Sequence, residues 1–349
     1  MFKKINTSLA GFGMSGEFFQ APFITANPGF NLVKIFERRT ERSKQLYPSV
    51  NIVKSFAEII NDDEIELVII STPNSTHFDF GKSALLAGKN VIIEKPFTIT
   101  SNEAKELISI AEEKRLILSP FQNRRWDGDF LTVKKIIESN VLGELVEFRS
   151  HFDRFRNYIK PNNWKEESNA GSGLLYDIGP HLIDQSLRLF GNPISVYADL
   201  RATRRDTKII DNFELILNYG RLKVILNSGY LYHQSMVRFA LFGTQGSYIK
   251  NGLDPQEDTL KLSGYNPGPN WGKEPETMWG TLSSFNSGKN DQKKIETIPG
   301  SYQNYFRNIY DAITGKNDLI VKPFDALLTT KVIELALESN EKKCTINFS

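Results

Sequence analysis

The sequence predicts an α/β protein of two domains: a doubly wound parallel sheet, followed by an α/β domain with a large open, mainly antiparallel sheet. The first third of the chain alternates short β-rich runs with amphipathic segments, which is typical of a parallel sheet covered by helices. After about residue 123 the β-rich runs lengthen and alternate apolar with polar residues, as antiparallel strands do. A chain of 349 residues is long enough for two cores. We therefore place the domains at 1–123 and 124–349.

The first domain contains expected strands with helices between them. Each strand is a short apolar run that ends at a turn signal, and these runs cover residues 5–10, 32–36, 67–70, 90–93 and 116–119. The helices are expected at 15–26, 78–87 and 102–114. Thr100 and Glu103 have the spacing of a capping box before the third helix, and Gly88 ends the second.

The second domain starts with an expected helix at 130–137 and a turn at Leu142-Gly143. Its clearest strands cover 213–219, 222–230 and 237–242. A stretch at 263–290 is rich in Gly, Pro and Asn and is predicted to be a loop. Such a loop is too long for a plain connection, so we expect a lid, an oligomer contact or a flexible excursion there.

Composition excludes several classes of protein. The formal net charge is +2, which gives no overall attraction to nucleic acid or to a membrane. Cys344 is the only cysteine, so no disulfide within the chain and no cysteine-based metal site can form. No apolar run has the length of a membrane span or of a signal-peptide core. We expect a cytoplasmic protein that acts on a small molecule.

A glycine-rich turn directly behind the first strand is the most informative motif. It consists of Gly11, Phe12, Gly13, Met14, Ser15 and Gly16. In this pattern the first glycine permits a tight turn, the second lets the backbone approach a pyrophosphate, and the third allows close packing of helix on sheet. The following helix then directs its N-terminal amides at the anion. The turn predicts a Rossmann domain and makes a nucleotide-binding dehydrogenase the first hypothesis.

The end of the second strand bears on the choice of nucleotide. Glu37 follows Gly16 by about 20 residues, where a carboxylate usually accepts hydrogen bonds from the adenosine ribose of NAD. Arg38, Arg39 and Arg42 come directly after it, and guanidinium groups there suit the 2′-phosphate of NADP. The same run is also compatible with a solvated helix start. We favour NADP and keep NAD open.

Two further strands end in polar residues that suit a cofactor. Ser71, Thr72, Pro73, Asn74 and His77 follow the strand at 67–70, at the carboxyl end where open α/β sheets bind ligands. An ordinary turn before a capped helix, with His77 merely nearby, is the alternative. Asn123 and Arg124 follow the last strand and either flank a nicotinamide or form a polar hinge between the domains.

Glu94, Lys95 and Pro96 come directly after the strand that is expected at 90–93. A lysine beside a nicotinamide can polarise a hydroxyl or stabilise an alkoxide. Exposed lysines before prolines are also common, so the dipeptide alone leaves both interpretations open.

In the second domain Asp177, His181 and Asp184 have helical spacing. A carboxylate and an imidazole on one face could act on one substrate, since histidine accepts protons near neutral pH. If the helix instead begins at Pro180, Asp177 reaches the site from a preceding turn. A metal site built on these residues, or a purely structural His181, is the alternative, and we expect no metal.

Together these motifs resemble a known family. The motifs 11–16, Ser71-Thr72-Pro73-Asn74, Glu94-Lys95-Pro96 and Asp177-Ile178-Gly179-Pro180-His181 occur in that order, as in the glucose–fructose oxidoreductase / inositol dehydrogenase / rhizopine catabolism family. The segments 151–156 and 179–185 resemble its NADP-dependent scyllo-inositol dehydrogenase branch. The resemblance implies that Lys95 assists the reacting hydroxyl, Asp177 positions it and His181 takes or returns its proton. It also implies a homodimer or homotetramer formed through the second sheet.

The substrate is predicted only by class. Arg154, Arg156 and Tyr158 offer donors and aromatic surface to a ring with many hydroxyl groups, as do Asn157, Tyr232 and His233. A cyclitol or sugar fits these groups, and a uronate or keto acid stays open because arginines also bind carboxylates. A nucleotide-sensing regulatory protein without turnover is the hypothesis from another class. The combination of Lys95, Asp177 and His181 favours the enzyme, because a sensor needs no proton relay.

Overall fold

The structure is a computed structural model that describes residues 3–161, 163–265, 268, 270–286 and 289–348. The chain forms two compact units. The first comprises Met1–Asn123, Glu257–Gly268 and Tyr302–Leu327, and the second comprises Arg124–Gln256, Pro269–Ser301 and Leu328–Ser349. The first continuous range ends where the sequence places the domain boundary, and two later segments return to the first unit.

The first unit contains a parallel sheet in the order β3-β2-β1-β4-β5-β6. Its strands are β1 (Ile5–Ala10), β2 (Phe30–Phe36), β3 (Asn51–Val53), β4 (Leu67–Ile70), β5 (Asn90–Ile93) and β6 (Leu118–Pro120). This order confirms the predicted doubly wound sheet. The strand order reverses between β1 and β4, so the carboxyl ends of these strands flank the crevice in which such sheets bind ligands.

The strands that the sequence located best are the central ones. Every residue of β4 is buried, as are Val91, Ile92 and Ile93 of β5. Helices cover both faces of a parallel sheet, so its strands are continuous apolar runs and are easily recognised. The short strand β3 was not predicted, and β2 begins at Phe30, two residues before the expected start.

Helices fill the connections and extend into the rest of the chain. Their bounds are α1 (Ala21–Ala26), α2 (Ser43–Leu46), α3 (Ala57–Ile60), α4 (His77–Leu86), α5 (Ser101–Lys114), α6 (Gly128–Glu138), α7 (Leu174–Asp177), α8 (Gly179–Phe190), α9 (Gln256–Ser263), α10 (Gln303–Ile313) and α11 (Pro323–Lys342). The predicted capping box is present, because Thr100 accepts from the Glu103 amide and the Glu103 carboxylate accepts from the Thr100 amide. Among the described residues no helix is both long and apolar enough to cross a membrane.

The helix predicted at 15–26 is not a single α-helix. Residues Ser15–Gln20 form a π-helical segment before α1 begins. The Ala21 amide donates to the Gly16 carbonyl, five residues earlier. Pro22 follows and has no N–H to donate. Since the proline ring also crowds the preceding turn, the wider π turn relieves this steric clash at the start of α1.

Late segments of the chain complete the core of the first unit. Phe306 of α10 stacks on Phe23 of α1, with ring centroids 5.4 Å apart. The Tyr310 hydroxyl donates to the Lys3 carbonyl at 3.1 Å. These contacts join residues 283 and 307 positions apart, which explains why this segment belongs with the first sheet.

The second unit is built on a sheet in the order β14-β13-β12-β11-β7-β10-β9-β8-β15. Its strands are β7 (Leu145–His151), β8 (Ser195–Arg201), β9 (Asn212–Tyr219), β10 (Leu222–Gly229), β11 (Phe239–Gly243), β12 (Gly246–Lys250), β13 (Gly280–Asn286), β14 (Lys289–Ile295) and β15 (Ile346–Asn347). Among the described strands of this sheet only β7 and β10 pair in parallel, so the prediction of a large, mainly antiparallel sheet is confirmed. Phe148 of β7 packs against Phe190 of α8 at 5.2 Å, which places α8 on one face of the sheet.

The predicted loop at 263–290 is partly wrong. Strand β13 lies inside it and pairs with β12 and β14, while residues 266, 267, 269, 287 and 288 lie outside the described part. Gly, Ser and Asn in this segment disfavour strands in isolation. Pairing with the existing sheet edge overrides that local preference.

Candidate active site

The glycine turn has the geometry that its sequence predicts. Gly11 has φ of 100°, and a Cβ there would lie 2.9 Å from the Ser71 carbonyl oxygen. A Cβ on Gly16 would lie 2.4 Å from the Gly11 carbonyl oxygen. A Cβ on Gly13 would meet no atom within 4 Å. The turn is therefore tight on its inner side and open at Gly13, which fits a backbone that receives the pyrophosphate of a dinucleotide.

Ser71 fixes this turn to the end of β4. Its hydroxyl donates to the Gly11 carbonyl at 2.9 Å, and its amide donates to the Ala10 carbonyl at 2.8 Å. Beyond it, the hydroxyls of Thr72 and Thr76 lie 2.6 Å apart. Pro73 precedes a short 3-10 turn at Asn74–Thr76 that leads into α4. The structure thus brings the predicted residues at the ends of β1 and β4 together.

Glu94 links the same turn to Lys95. One carboxylate oxygen accepts hydrogen bonds from the Ser15 hydroxyl and, at 3.1 Å, from the Gln20 side chain. The other oxygen accepts the Lys95 amide at 3.0 Å. Glu94 is buried, so it holds the backbone of Lys95 at the carboxyl end of β5. The Lys95–Pro96 peptide bond is cis.

His77 is fully buried and bridges two loops. Its Nδ1 lies 2.8 Å from the Pro96 carbonyl oxygen, and its Nε2 lies 3.0 Å from that of Thr72. Burial lowers the pKa of His77, and this outweighs the two carbonyl contacts, which raise it. The sequence suggested His77 as a cofactor contact. In the structure both ring nitrogens face the backbone, so the ring supports the loops that carry Thr72 and Lys95.

Glu37 is also engaged within the protein. Its carboxylate accepts hydrogen bonds from the amide and hydroxyl of Ser43, the hydroxyl of Thr40 and the amide of Arg42. Burial opposes ionisation, but these hydrogen bonds outweigh it and lower the pKa of Glu37. The carboxylate that the sequence assigned to the ribose therefore organises the loop after β2.

The three arginines that follow Glu37 differ in their surroundings. Arg42 donates to Glu17 at 2.6 Å. Arg38 and Arg39 are exposed, and neither forms an ion pair with any described residue. Two guanidinium groups thus face solvent next to the loop that Glu37 holds.

Asp177 and His181 belong to the second unit. Asp177 ends α7, and α8 begins at Gly179 with Pro180 in its first turn. The second of the two predicted arrangements is therefore present, with Asp177 before the helix and His181 in its first turn. His181 is 5% exposed, whereas Asp177 is partly exposed.

Asp184 has a different role from Asp177. It forms a bidentate ion pair with Arg125, at 2.6 and 2.8 Å. Both side chains are buried. Among the described residues, no group of three His, Cys, Asp or Glu side chains could hold a metal ion.

The remaining predicted residues surround two aromatic rings of the second unit. The guanidinium groups of Arg124 and Arg154 lie over Phe152, at 4.7 and 5.1 Å from the ring centroid. Arg156 lies 4.9 Å from the centroid of Tyr230. The side chain of Tyr158 is exposed, and Asn123, in the first unit, is buried.

Sequence reasoning missed Lys165, whose Nζ lies 2.7 Å from Oδ1 of Asp177. It precedes Asp177 by 12 residues and lies in a short 3-10 turn, Trp164–Glu166. No periodic signal in the sequence could have paired the two.

Comparisons with known proteins agree with this geometry. The NAD-binding Rossmann fold model of an oxidoreductase family matches residues 5–122. The C-terminal alpha/beta domain model of the same family matches residues 134–348. These matches and the open glycine turn define an oxidoreductase with an NAD(P)-binding Rossmann domain. The chain belongs to the Gfo/Idh/MocA oxidoreductase family.

Individual relatives match nearly the whole chain. The uncharacterized oxidoreductase YdgJ of Escherichia coli is 39% identical and covers 99% of both chains. The scyllo-inositol 2-dehydrogenase (NADP(+)) IolW of Bacillus subtilis is 36% identical, over 98% of this chain and 95% of that protein. The crystal structure of an oxidoreductase from Bacillus cereus has a TM-score of 0.90 and 32% identity, with 99% of each chain covered.

Proposed function

We propose that the protein is an NADP-dependent dehydrogenase that interconverts an alcohol and a ketone on a polyhydroxylated ring, a cyclitol such as scyllo-inositol or a sugar. The observation that carries this proposal is the position of Glu94. Its two oxygens bind the helix that follows the glycine turn and the backbone of Lys95. A lysine held next to a dinucleotide turn is suited to act on the group that exchanges hydride with a nicotinamide.

The glycine turn, Ser71 and Asn74 would hold the dinucleotide. When bound, its nicotinamide supplies or accepts the hydride. Arg38 and Arg39 favour NADP, because exposed guanidinium groups can pair with a 2′-phosphate. Glu37 has its oxygens occupied by Ser43, Thr40 and Arg42, so it offers little to the ribose hydroxyls that distinguish NAD.

Three side chains have separate roles at the reacting hydroxyl of the substrate. Lys95 donates a hydrogen bond to the substrate oxygen and stabilises negative charge that develops on it. Asp177 accepts from a substrate hydroxyl and orients it. His181 accepts the hydroxyl proton in oxidation and returns it in reduction. In oxidation the carbon loses a hydride and the oxygen a proton, which leaves a ketone.

The substrate class rests on two supports. The relative IolW is a scyllo-inositol 2-dehydrogenase (NADP(+)). In this chain Arg154, Arg156 and Tyr158 offer hydrogen bonds to a ring with several hydroxyl groups. We also propose that copies of the chain assemble as a homodimer or homotetramer through the second sheet.

A substrate panel tests the proposal. Cyclitols, hexoses and uronates are offered with NADP and with NAD, and the nicotinamide absorbance is followed. We expect turnover of a cyclitol or neutral sugar with NADP, and its loss by about a hundredfold or more in Lys95→Ala and in His181→Ala. Nucleotide binding without turnover of any compound would instead support a sensor on the same fold.

A further inference from the structure

The ion pair between Lys165 and Asp177 differs from the buried ion pairs of the second unit. The two side chains are 35% and 22% exposed, whereas those of Arg125 and Asp184 are 5% and 2% exposed. A partly exposed pair contributes little to folding stability. Its carboxylate also stays accessible to a ligand. Stability alone therefore gives no reason for this pairing of a lysine with a candidate substrate-binding carboxylate.

Buried charged side chains anchor the segment that carries Lys165. Residues Trp164–Glu166 form one 3-10 turn. Glu166 accepts from Arg204 at 2.7 Å, and Arg204 also donates to Asp211 at 2.8 Å. All three of these charged side chains are at most 5% exposed. Arg204 also donates to the Tyr158 carbonyl at 2.7 Å. A buried three-member charge network thus holds Glu166, the neighbour of Lys165, and also binds the backbone at Tyr158.

Several charged groups, Asp177 among them, lie close to Tyr230. Burial raises the pKa of the nearby Tyr230 hydroxyl, and the charge of Asp177 raises it further, while Arg156 and Lys165 lower it and Glu166 raises it. Arg156 lies over one ring, that of Tyr230, and Glu166 is held by Arg204. Lys165 places a cation at hydrogen-bond distance from the Asp177 carboxylate.

We propose that Lys165 is a positioning residue that fixes the rotamer and charge of Asp177 for contact with the substrate hydroxyl. The inference rests on the proposed function, because the role of Asp177 belongs to it. A lysine held by an anchored turn limits rotation of the carboxylate. Its positive charge also favours the ionised carboxylate, which accepts a hydrogen bond from the substrate hydroxyl.

The first test compares variants of Lys165. Lys165→Met removes the ammonium, and Lys165→Arg retains a cation. We expect kcat/KM for the cyclitol to fall by about tenfold to a hundredfold in Lys165→Met, mainly through kcat, with the Kd for NADP unchanged. Lys165→Arg should recover most of the loss. Lys160→Met is the matched control, since Lys160 is exposed in the same segment and should retain wild-type kinetics.

A double-mutant cycle separates action through Asp177 from a separate contact. If Lys165 acts only through Asp177, then Lys165→Met should add nothing to the defect of Asp177→Asn. Multiplied defects in the double variant would overturn the inference, as would wild-type kcat and KM in Lys165→Met. Wild-type activity in Asp177→Asn and His181→Ala would instead refute the proposed function, so the two failures are distinguishable.

Discussion

The ring of His77 is joined to Pro96, with Nδ1 2.8 Å from the carbonyl oxygen of the residue that follows Lys95. The other ring nitrogen faces Thr72 at 3.0 Å. One buried side chain therefore connects the loop after β4 with the loop after β5. Both loops carry residues that we assign to the cofactor or to the reacting hydroxyl.

Replacing His77 by Ala should destabilise the first unit and disturb both loops. The hydrogen bond from the single N–H of the neutral ring is lost and a cavity remains, so we expect a loss of about 2–4 kcal/mol in the free energy of unfolding. Urea unfolding and titration with NADP measure the two effects. Lys105→Ala, an exposed change on α5, serves as the control and should shift stability by less than about 0.5 kcal/mol.

The glycines of the turn should respond differently to the same substitution. Gly16→Ala places a methyl group against the Gly11 carbonyl, so the turn must distort, and both stability and nucleotide affinity should fall. Gly13→Ala meets no protein atom, so the protein should fold normally and lose affinity for the nucleotide alone. Thermal unfolding with and without NADP distinguishes them. Equal affinity for NADP in Gly13→Ala and the wild type would count against a pyrophosphate at this position.

The cofactor preference should depend on Arg38 and Arg39 rather than on Glu37. A charge-assisted hydrogen bond contributes about 1.5–3 kcal/mol. The double change Arg38→Ser with Arg39→Ser should therefore weaken NADP binding by about tenfold to a hundredfold and leave NAD binding unchanged.

Glu37→Gln provides the counterpart to this test. It removes the charge that the amides of Arg42 and Ser43 stabilise, so it should lower thermal stability without improving NAD binding. A marked gain or loss that is confined to NAD would show that Glu37 contacts the ribose after all. Calorimetric titration with each nucleotide provides the measurement.

His151 should make the second unit sensitive to mild acid. Burial, with the positive charges of Arg149 and Arg238, lowers its pKa to about 4, against about 6.5 in the unfolded chain. Between these values the unfolded state binds the proton and the native state does not. The stability that the neutral ring provides is therefore complete above about pH 6.5 and is lost as the pH falls towards 4.

His151→Asn tests this dependence. The drop in Tm between about pH 7 and pH 5 should be smaller in the variant than in the wild type. His233→Asn, at an exposed position, should retain the wild-type drop. Identical pH dependence of Tm in His151→Asn and the wild type would rule out His151 as its source.

Sequence reasoning succeeded where local pattern and tertiary environment agree. The strands β1, β4 and β5 were located to the residue, because each is an apolar run that ends at a polar turn. The tight geometry of the glycine turn could be predicted because steric limits act within a few residues. The hydrogen bonds of Glu37 and His77 within the protein could not, because their partners are set by how loops fold back. Lys165 escaped notice because nothing local relates it to Asp177.

The stacking of Phe306 on Phe23 has a consequence for synthesis of the chain. A ribosome must translate the entire second sheet up to β14 before the aromatic residues of α10 emerge. Until then Phe23 of α1 lacks its stacking partner and is exposed to solvent. The core of the first unit therefore stays incomplete while the second unit is being translated. A protein fragment that ends at residue 123 should therefore aggregate rather than fold into an autonomous nucleotide-binding module.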